Sequence, residues 1–358
     1  MTYEGARSIS GPYLGLLGAS GSVVGLVAGL GELIGYGLRL FSGYLSDRTR
    51  RYWALTLTGY TINLLAVPLL ALAGRWEIAA LLLVAERTGK ALRTPARDAM
   101  LSYATKEMGR GWGFGLHEAM DQIGAIAGPL LVAGVIAARD SYPAAFAALG
   151  IPALLALATL LAARRLYPRP QDLEPISLQI QTRGFPRAYW LYLWAVALVA
   201  AGYADFPLIA YHFGKISLLP GAWIPILYGI AMGVDALAAL FFGHWFDRIG
   251  IPVLVGATLL SAFFAPLVFL GNFAMAILGM ILWGIGMGAQ ESILRAAIAE
   301  MVPPDRRGAA YGIFNMGFGF SWFLGSALMG MLYDRSLFAL LAFSIGTQLA
   351  SLPLFRLV

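Results

Sequence analysis

Charged side chains inside apolar stretches must be matched or used, because an ionised group at the centre of a membrane helix costs about 2.5–3.5 kcal/mol on insertion scales. This chain carries many of them. Glu32, Tyr36, Arg39 and Gly43 are spaced four, three and four residues apart, as are Glu86, Lys90, Arg93 and Arg97, and again His117, Asp121, Gly124 and Gly128. On a helix each set forms one stripe. Glu4 and Arg7, and Glu291 and Arg295, stand one turn apart and add two more couples of opposite charge. Glu86 with Lys90, and Glu291 with Arg295, read equally as structural pairs within a helix and as solute-binding groups. Arg93, Arg97 and Asp98 fall near a helix end and read as gating or interfacial groups.

His117, Glu118 and Asp121 stand together with no base one turn away. Loss of water disfavours an ionised acid, which suits a group that takes up and releases a proton in each cycle. The alternative is a bridge to a base on another helix, Arg39 or Arg87. Asp205 lies two residues before Pro207, where missing backbone pairing opens carbonyls to a cavity. Asp235 has no partner nearby in sequence. Both read equally as cross-helix partners and as cation or proton sites. Tyr3, Tyr203, Gln290, Asn315 and Trp322 are candidate pocket-lining residues; Asn315, Gly319, Trp322 and Ser326 share one helix face. Counted by depth, the acids Glu4, Glu32, Glu86, Glu118, Asp121, Asp205, Asp235 and Glu291 outnumber the bases Arg7, Arg39, Arg87, Lys90 and Arg295. That count favours protons with cationic or neutral solutes over anions.

Helices in a bilayer must position these groups. The 358 residues are 59% hydrophobic and 12% charged, too little polar surface to coat a soluble globule. A span needs roughly 20 apolar residues, and the pattern predicts twelve segments at about 1–17, 21–42, 53–73, 76–95, 109–136, 143–164, 188–213, 222–242, 251–270, 273–299, 309–332 and 336–355. The first is short, which is expected if the true start lies upstream or the gene is truncated; no signal-peptide pattern opens it. A proline-containing polar stretch, 165–187, divides six-helix halves at 1–164 and 188–358. Small-residue spacings at Gly21-Gly25-Gly29, Gly111-Gly115, Gly124-Gly128, Gly284-Gly288 and Gly308-Gly312 predict close helix crossings.

The net charge of +6 forms no continuous patch, so nucleic acid is not expected. With residues 43–52 in the cytoplasm, only Arg75, Arg139, Lys215 and Arg335 among the assigned bases fall outside. This positive-inside bias predicts both termini in the cytoplasm of a cell-membrane protein. The three histidines are scattered, no metal-ligand spacing, Gly-x-Ser-x-Gly or nucleotide loop occurs, and no cysteine is present. An enzyme, a metal site and a cofactor are therefore not expected.

Residues 43–51 contain Gly43-x-x-x-Asp47-Arg48 followed by Arg51, and the pattern returns 200 positions later as Gly243-x-x-x-Asp247-Arg248-x-Gly250. Arg110-Gly111-x-x-x-Gly115 aligns with Arg307-Gly308-x-x-x-Gly312, and Gly128 with Gly325, each 197 apart. The chain resembles the major facilitator superfamily of secondary transporters, whose signature between helices two and three is matched by Gly43, Asp47, Arg48 and Arg51. Arg50 stands where that family usually has Gly. The resemblance implies two six-helix bundles rocking about a midplane site, with Asp47 as a latch to a helix N-terminus or an arginine of the other bundle. Gly243, Asp247 and Arg248 are the equivalent gating positions. Gly124-x-x-x-Gly128-Pro129 is similar to the core of a motif of drug and proton antiporters, without its closing Gly-Gly.

The function these features imply is secondary transport of a small organic solute, proton-coupled, with an efflux antiporter preferred over an uptake symporter or facilitator. The alternative of another class is a non-transporting membrane sensor or a truncated relic. Lipid, solute and protons are the expected partners, and a monomer the expected state.

Overall fold

The computed structural model describes residues 1–49, 51–104, 110–168, 184–303 and 306–358; the side chains of Asp47, 102–104, 110–116, Glu118, Ala119, Arg295, Arg307 and Gly308 lie outside the described set. The described residues form helices and no strand. In chain order they are α1 (Thr2–Leu16), α2 (Gly21–Thr49), α3 (Tyr52–Leu69), α4 (Trp76–Ala104), α5 (Arg110–Arg139), α6 (Tyr142–Ala148) and α7 (Gly150–Leu166). The second half holds α8 (Arg187–Gly202), α9 (Phe206–Lys215), α10 (Trp223–Ile249), α11 (Pro252–Ser261), α12 (Phe264–Phe269), α13 (Phe273–Met301), α14 (Arg307–Arg335) and α15 (Leu337–Phe355).

Ten stretches of these helices are long and apolar enough to cross a bilayer. The two remaining crossings are α1, only 15 residues long, and α4, whose 29 residues include Glu86, Arg87, Lys90, Arg93, Arg97 and Asp98. Three predicted single helices are broken: the sixth into α6 and α7, the seventh into α8 and α9, and the ninth into α11 and α12. Leucines and phenylalanines such as Leu154, Leu155, Leu237, Leu240 and Phe338 stand exposed around the outside. Such a belt is expected where the solvent is hydrocarbon.

The halves meet through α2 against α14, α5 against α10 and α1 against α9. Numbered as spans these are two with eleven, five with eight and one with seven. A two-fold axis that exchanges span n with span n + 6 maps the first pairing onto the second and the third onto itself.

Glycines decide how close the helices come. A Cβ on Gly25 of α2 would strike the Ser326 carbonyl of α14, and one on Gly330 would lie 2.5 Å from the Gly21 carbonyl. Gly124 and Gly128 of α5 back onto the start of α1, and Gly284 and Gly288 of α13 onto α10. The predicted crossing at Gly111 and Gly115 lies outside the described side chains, as does that at Gly308. The basic end of the molecule carries Arg48, Arg51, Arg248 and Arg356 at helix ends; the far end carries Arg75, Arg139, Lys215 and Arg335.

Candidate functional site

The site begins at the break between α8 and α9, where Tyr203, Ala204 and Asp205 leave the helical path. Asp205 caps α9, its carboxylate accepting from the Phe206 N–H at 2.9 Å, with Pro207 in the first turn. Capping and an N-terminal proline both favour restarting a helix there. The freed carbonyls do not face a cavity as the proline predicted. Ser344 Oγ donates to the Gly202 carbonyl at 2.6 Å, and Trp283 Nε1 to that of Ala204 at 2.9 Å.

Gly11 of α1 lies against the Pro207 carbonyl, which brings α1 of the first half across the mouth of this break. Arg7, one turn earlier, reaches Asp205 with Nη2 2.5 Å from Oδ1. The same Nη2 lies 4.0 Å from Glu32 of α2, and Arg87 of α4 holds Glu32 at 2.7 Å. Arg87 Nε is also 3.7 Å from its neighbour Glu86. Asn63 of α3 donates to the Glu86 carboxylate and, at 3.0 Å, to the Glu86 carbonyl. Glu4 accepts from the Tyr228 hydroxyl of α10 at 2.6 Å. The result is one largely buried chain of charge and hydrogen bonding from α3 through α4, α2 and α1 to Asp205 of the second half, with Glu4–Tyr228 as a separate tie between the halves.

Tyr3 lies under two of the cations, its ring centroid 3.8 Å from Lys90 Nζ and 4.6 Å from the Arg87 guanidinium carbon. Its hydroxyl accepts from Arg7 at 3.4 Å. Such a ring holds a cation without neutralising it. Tyr3, Arg7, Glu86, Arg87 and Pro207 line a cleft with about 40 Å³ of free space. That is room for water and far below the roughly 300–1,000 Å³ of a drug-sized ligand site.

Several pairings inferred from spacing do not form. Arg7 bonds across to Asp205 and Glu32 instead of to Glu4, because the α1–α9 crossing brings a buried carboxylate within its reach. Glu86 takes Asn63 and Arg87 in place of Lys90. Four of the acids counted by depth are engaged in this arrangement. Glu4, Glu32, Glu86 and Asp205 are each held by a donor or base, while Lys90 rests on a ring.

Of the remaining candidates, Tyr203 donates to the Trp283 carbonyl and packs against Phe264, Trp283 and Trp322, which makes it part of the second half's core in this arrangement. Gln290 bonds its own helix at Gly286, and Trp322 is buried beside Tyr203 and Phe318. Asn315 is half-buried and Glu291 exposed; Arg295 lies outside the described side chains. On α5, Asp121 is on the protein's surface and His117 half-buried; Glu118 lies outside the described side chains. Asp235 is buried on α10.

Among the gating candidates, Arg93 stacks over Tyr60 at 4.0 Å, Arg97 pairs with its neighbour Asp98 at 2.7 Å, and Arg48 donates to the Tyr44 hydroxyl at 3.2 Å. Gly43 faces Pro95 and Gly243 faces Ser292. Arg51, Asp247 and Arg248 are exposed, and the Asp47 side chain, like Arg50, lies outside the described set. Asn63 and Tyr228 were not singled out from sequence. Asn63 was detectable as a lone amide in the apolar run of α3, whereas nothing in sequence separates Tyr228 from other tyrosines.

The model of the major facilitator superfamily matches residues 2–325. The chain belongs to that superfamily. An uncharacterized protein of Mycobacterium tuberculosis is 43% identical over 359 residues, covering 98% of this chain and 88% of its own. A chloramphenicol efflux pump of the same species is 28% identical over 215 residues, 57% of this chain and 51% of its own. Among solved structures, a single-residue mutant of the nucleoside transporter NupG superposes with TM-score 0.77 at 15% identity, covering 99% of this chain and 98% of that one. The superfamily fold, two six-helix bundles related by the axis that pairs span n with span n + 6, is thus the frame in which Arg7, Glu32, Arg87 and Asp205 sit. The family places the chain among multi-pass membrane transporters.

Proposed function

We propose that the chain is a secondary active transporter moving a small organic solute by alternating access, coupled to protons and directed outward. One observation carries this reading: the buried ties Arg7–Asp205 and Glu4–Tyr228 join the two halves beside a cleft to which both halves contribute. A structural ion pair would serve as well within one bundle. Placed across the seam, it must break and re-form whenever the halves part, so solute or proton binding there biases one arrangement over the other. The outward direction is supported by the kinship with the chloramphenicol pump and by the Gly124-x-x-x-Gly128-Pro129 core. The basic end faces the cytoplasm of the cell membrane, by the positive-inside rule.

In this reading Tyr3, Glu4, Arg7, Glu32, Glu86, Arg87 and Lys90 form the solute site with Asp205, and Asp235, His117, Glu118 and Asp121 are the proton-coupling candidates. The test is thermal unfolding in detergent against a broad solute panel at pH 6 and pH 8, followed by flux of any hit in proteoliposomes under an imposed pH gradient. A solute that binds the folded state raises the midpoint. The expected result is one solute class that stabilises the wild type, loses its effect in Lys90→Gln, and accumulates on the acidic side of the imposed gradient, in exchange for protons. Binding without flux under any gradient overturns transport in favour of a sensor.

A further inference from the structure

The sequence pattern Gly-x-x-x-Asp-Arg occurs a third time, as Gly330-x-x-x-Asp334-Arg335 at the end of α14. The other two copies lie at the basic end, whereas this one ends a helix at the far end. Its carboxylate accepts from the N–H of Gly21 at 3.0 Å, from the N–H of Ser22 at 2.7 Å and from the Ser22 hydroxyl at 2.6 Å. Those groups open α2, in the other half of the molecule. The first N–H groups of a helix have no partner inside it; here Ser20 supplies one to Val23, and α14 supplies two across the seam. A carboxylate at that position also meets the positive end of the helix dipole.

The contact is built rather than incidental. Gly330, the first residue of the pattern, lies against the Gly21 carbonyl and Gly25, and only a residue without Cβ allows α14 that close. Tyr333 packs against Gly21 and bonds His212 of α9 at 2.9 Å, so the turn carrying Asp334 is anchored in its own half while it caps the other. The symmetry-related place, the start of α10 beside the end of α5, has Ala222 as its cap with no side-chain hydrogen bond. The device is present on one of the two equivalent seams.

We propose that Asp334, with the N-terminus of α2, is the latch that holds the far end closed, and that its release is a step of the transport cycle. The inference rests on the alternating-access reading. When the halves part at the far end, the carboxylate leaves α2 and three hydrogen bonds pass to water. The seam along α2 and α14 then opens toward the cleft, starting at Val24, which is fully buried and lines it.

The chain has no cysteine, so Val24→Cys is a single reporter. Its reaction with a membrane-impermeant maleimide applied from the far end is measured in otherwise wild-type protein and in Asp334→Asn, Asp334→Ala, Ser22→Ala and Arg335→Gln. Gly25→Trp, which must wedge the seam apart, serves as the open reference, with Gly29→Trp as its replacement where the first does not fold. The expected result is labelling roughly five- to tenfold faster in both Asp334 variants, the range of a lost helix cap, about twofold faster in Ser22→Ala, and unchanged in Arg335→Gln. Fast labelling in the wedge variant with wild-type rates in the Asp334 variants rejects the latch and leaves alternating access standing. Slow labelling in every variant means that the far end does not open, and the transport reading falls with the latch.

Discussion

Arg7 is shared between two carboxylates, so deleting it and deleting Asp205 are unequal operations. Without Arg7, Asp205 keeps only the Phe206 N–H on its buried carboxylate, while Glu32 still has Arg87. Without the Asp205 charge, Arg7 still has Glu32. Breaking a buried pair so that one charge is stranded costs about 3–5 kcal/mol, and losing one charged hydrogen bond about 1.5–3 kcal/mol. Arg7→Met is therefore expected to lower the unfolding midpoint in detergent more than Asp205→Asn, which keeps the cap on α9. The double variant is expected to recover most of the loss, and a double variant as unstable as the sum of the two singles contradicts the pairing. Asn63 gives a second case. Replacing it by Leu leaves the buried Glu86 with only Arg87 at 3.7 Å, and a stability loss of about 1–3 kcal/mol is expected in the same assay.

At the scale of helices, glycine spacing predicted where close crossings lie, and the structure supplies the partners. A Cβ on Gly128 would lie 2.9 Å from Gly5 N and strike the Met1 carbonyl, whereas one on Gly134 of the same helix would meet nothing within 4 Å. Gly128→Leu is expected to cost at least about 1–3 kcal/mol through overpacking, and Gly134→Leu to leave expression and melting near wild type. This contrast also marks what a sequence can carry. Period and composition located the helical segments and the charged stripes, because those are properties of one helix at a time. The partner of Arg7 was not legible, since it depends on α1 crossing α9 at Gly11 and on where the chain breaks between Gly202 and Asp205. Glu86 chose Asn63 over Lys90 for the same reason: a neighbouring helix stood closer than the next turn. Pro207 announced a disturbance in the seventh span without saying that Ser344, Gln348 and Trp283 would take up the freed carbonyls.

For the whole molecule, the ties between halves are unevenly distributed, and this makes alternation testable without knowing the solute. The capped start of α2 and the Gly25–Gly330 approach lie at the far end, and Arg7–Asp205 lies deeper. Orientation comes first: Gly74→Cys, in the far-end turn after α3, is expected to react with an impermeant maleimide in intact cells, and Arg51→Cys only after permeabilisation. The reverse pattern would put the basic end outside and invert the direction assigned to every gate. With orientation fixed, Ser22→Cys paired with Asp334→Cys places two thiols where the wild type has a hydroxyl and a carboxylate 2.6 Å apart, close enough for a disulfide once the side chains settle. Oxidation would clamp the far end and leave the basic end free. A transporter that alternates must then lose net flux while keeping solute binding from the basic end, and must recover flux on reduction. Flux that persists through the oxidised clamp means that solute crosses without the halves parting at α2 and α14. The cleft would then be a fixed pore constriction, and the buried charge chain from Asn63 to Asp205 would be its lining rather than its switch.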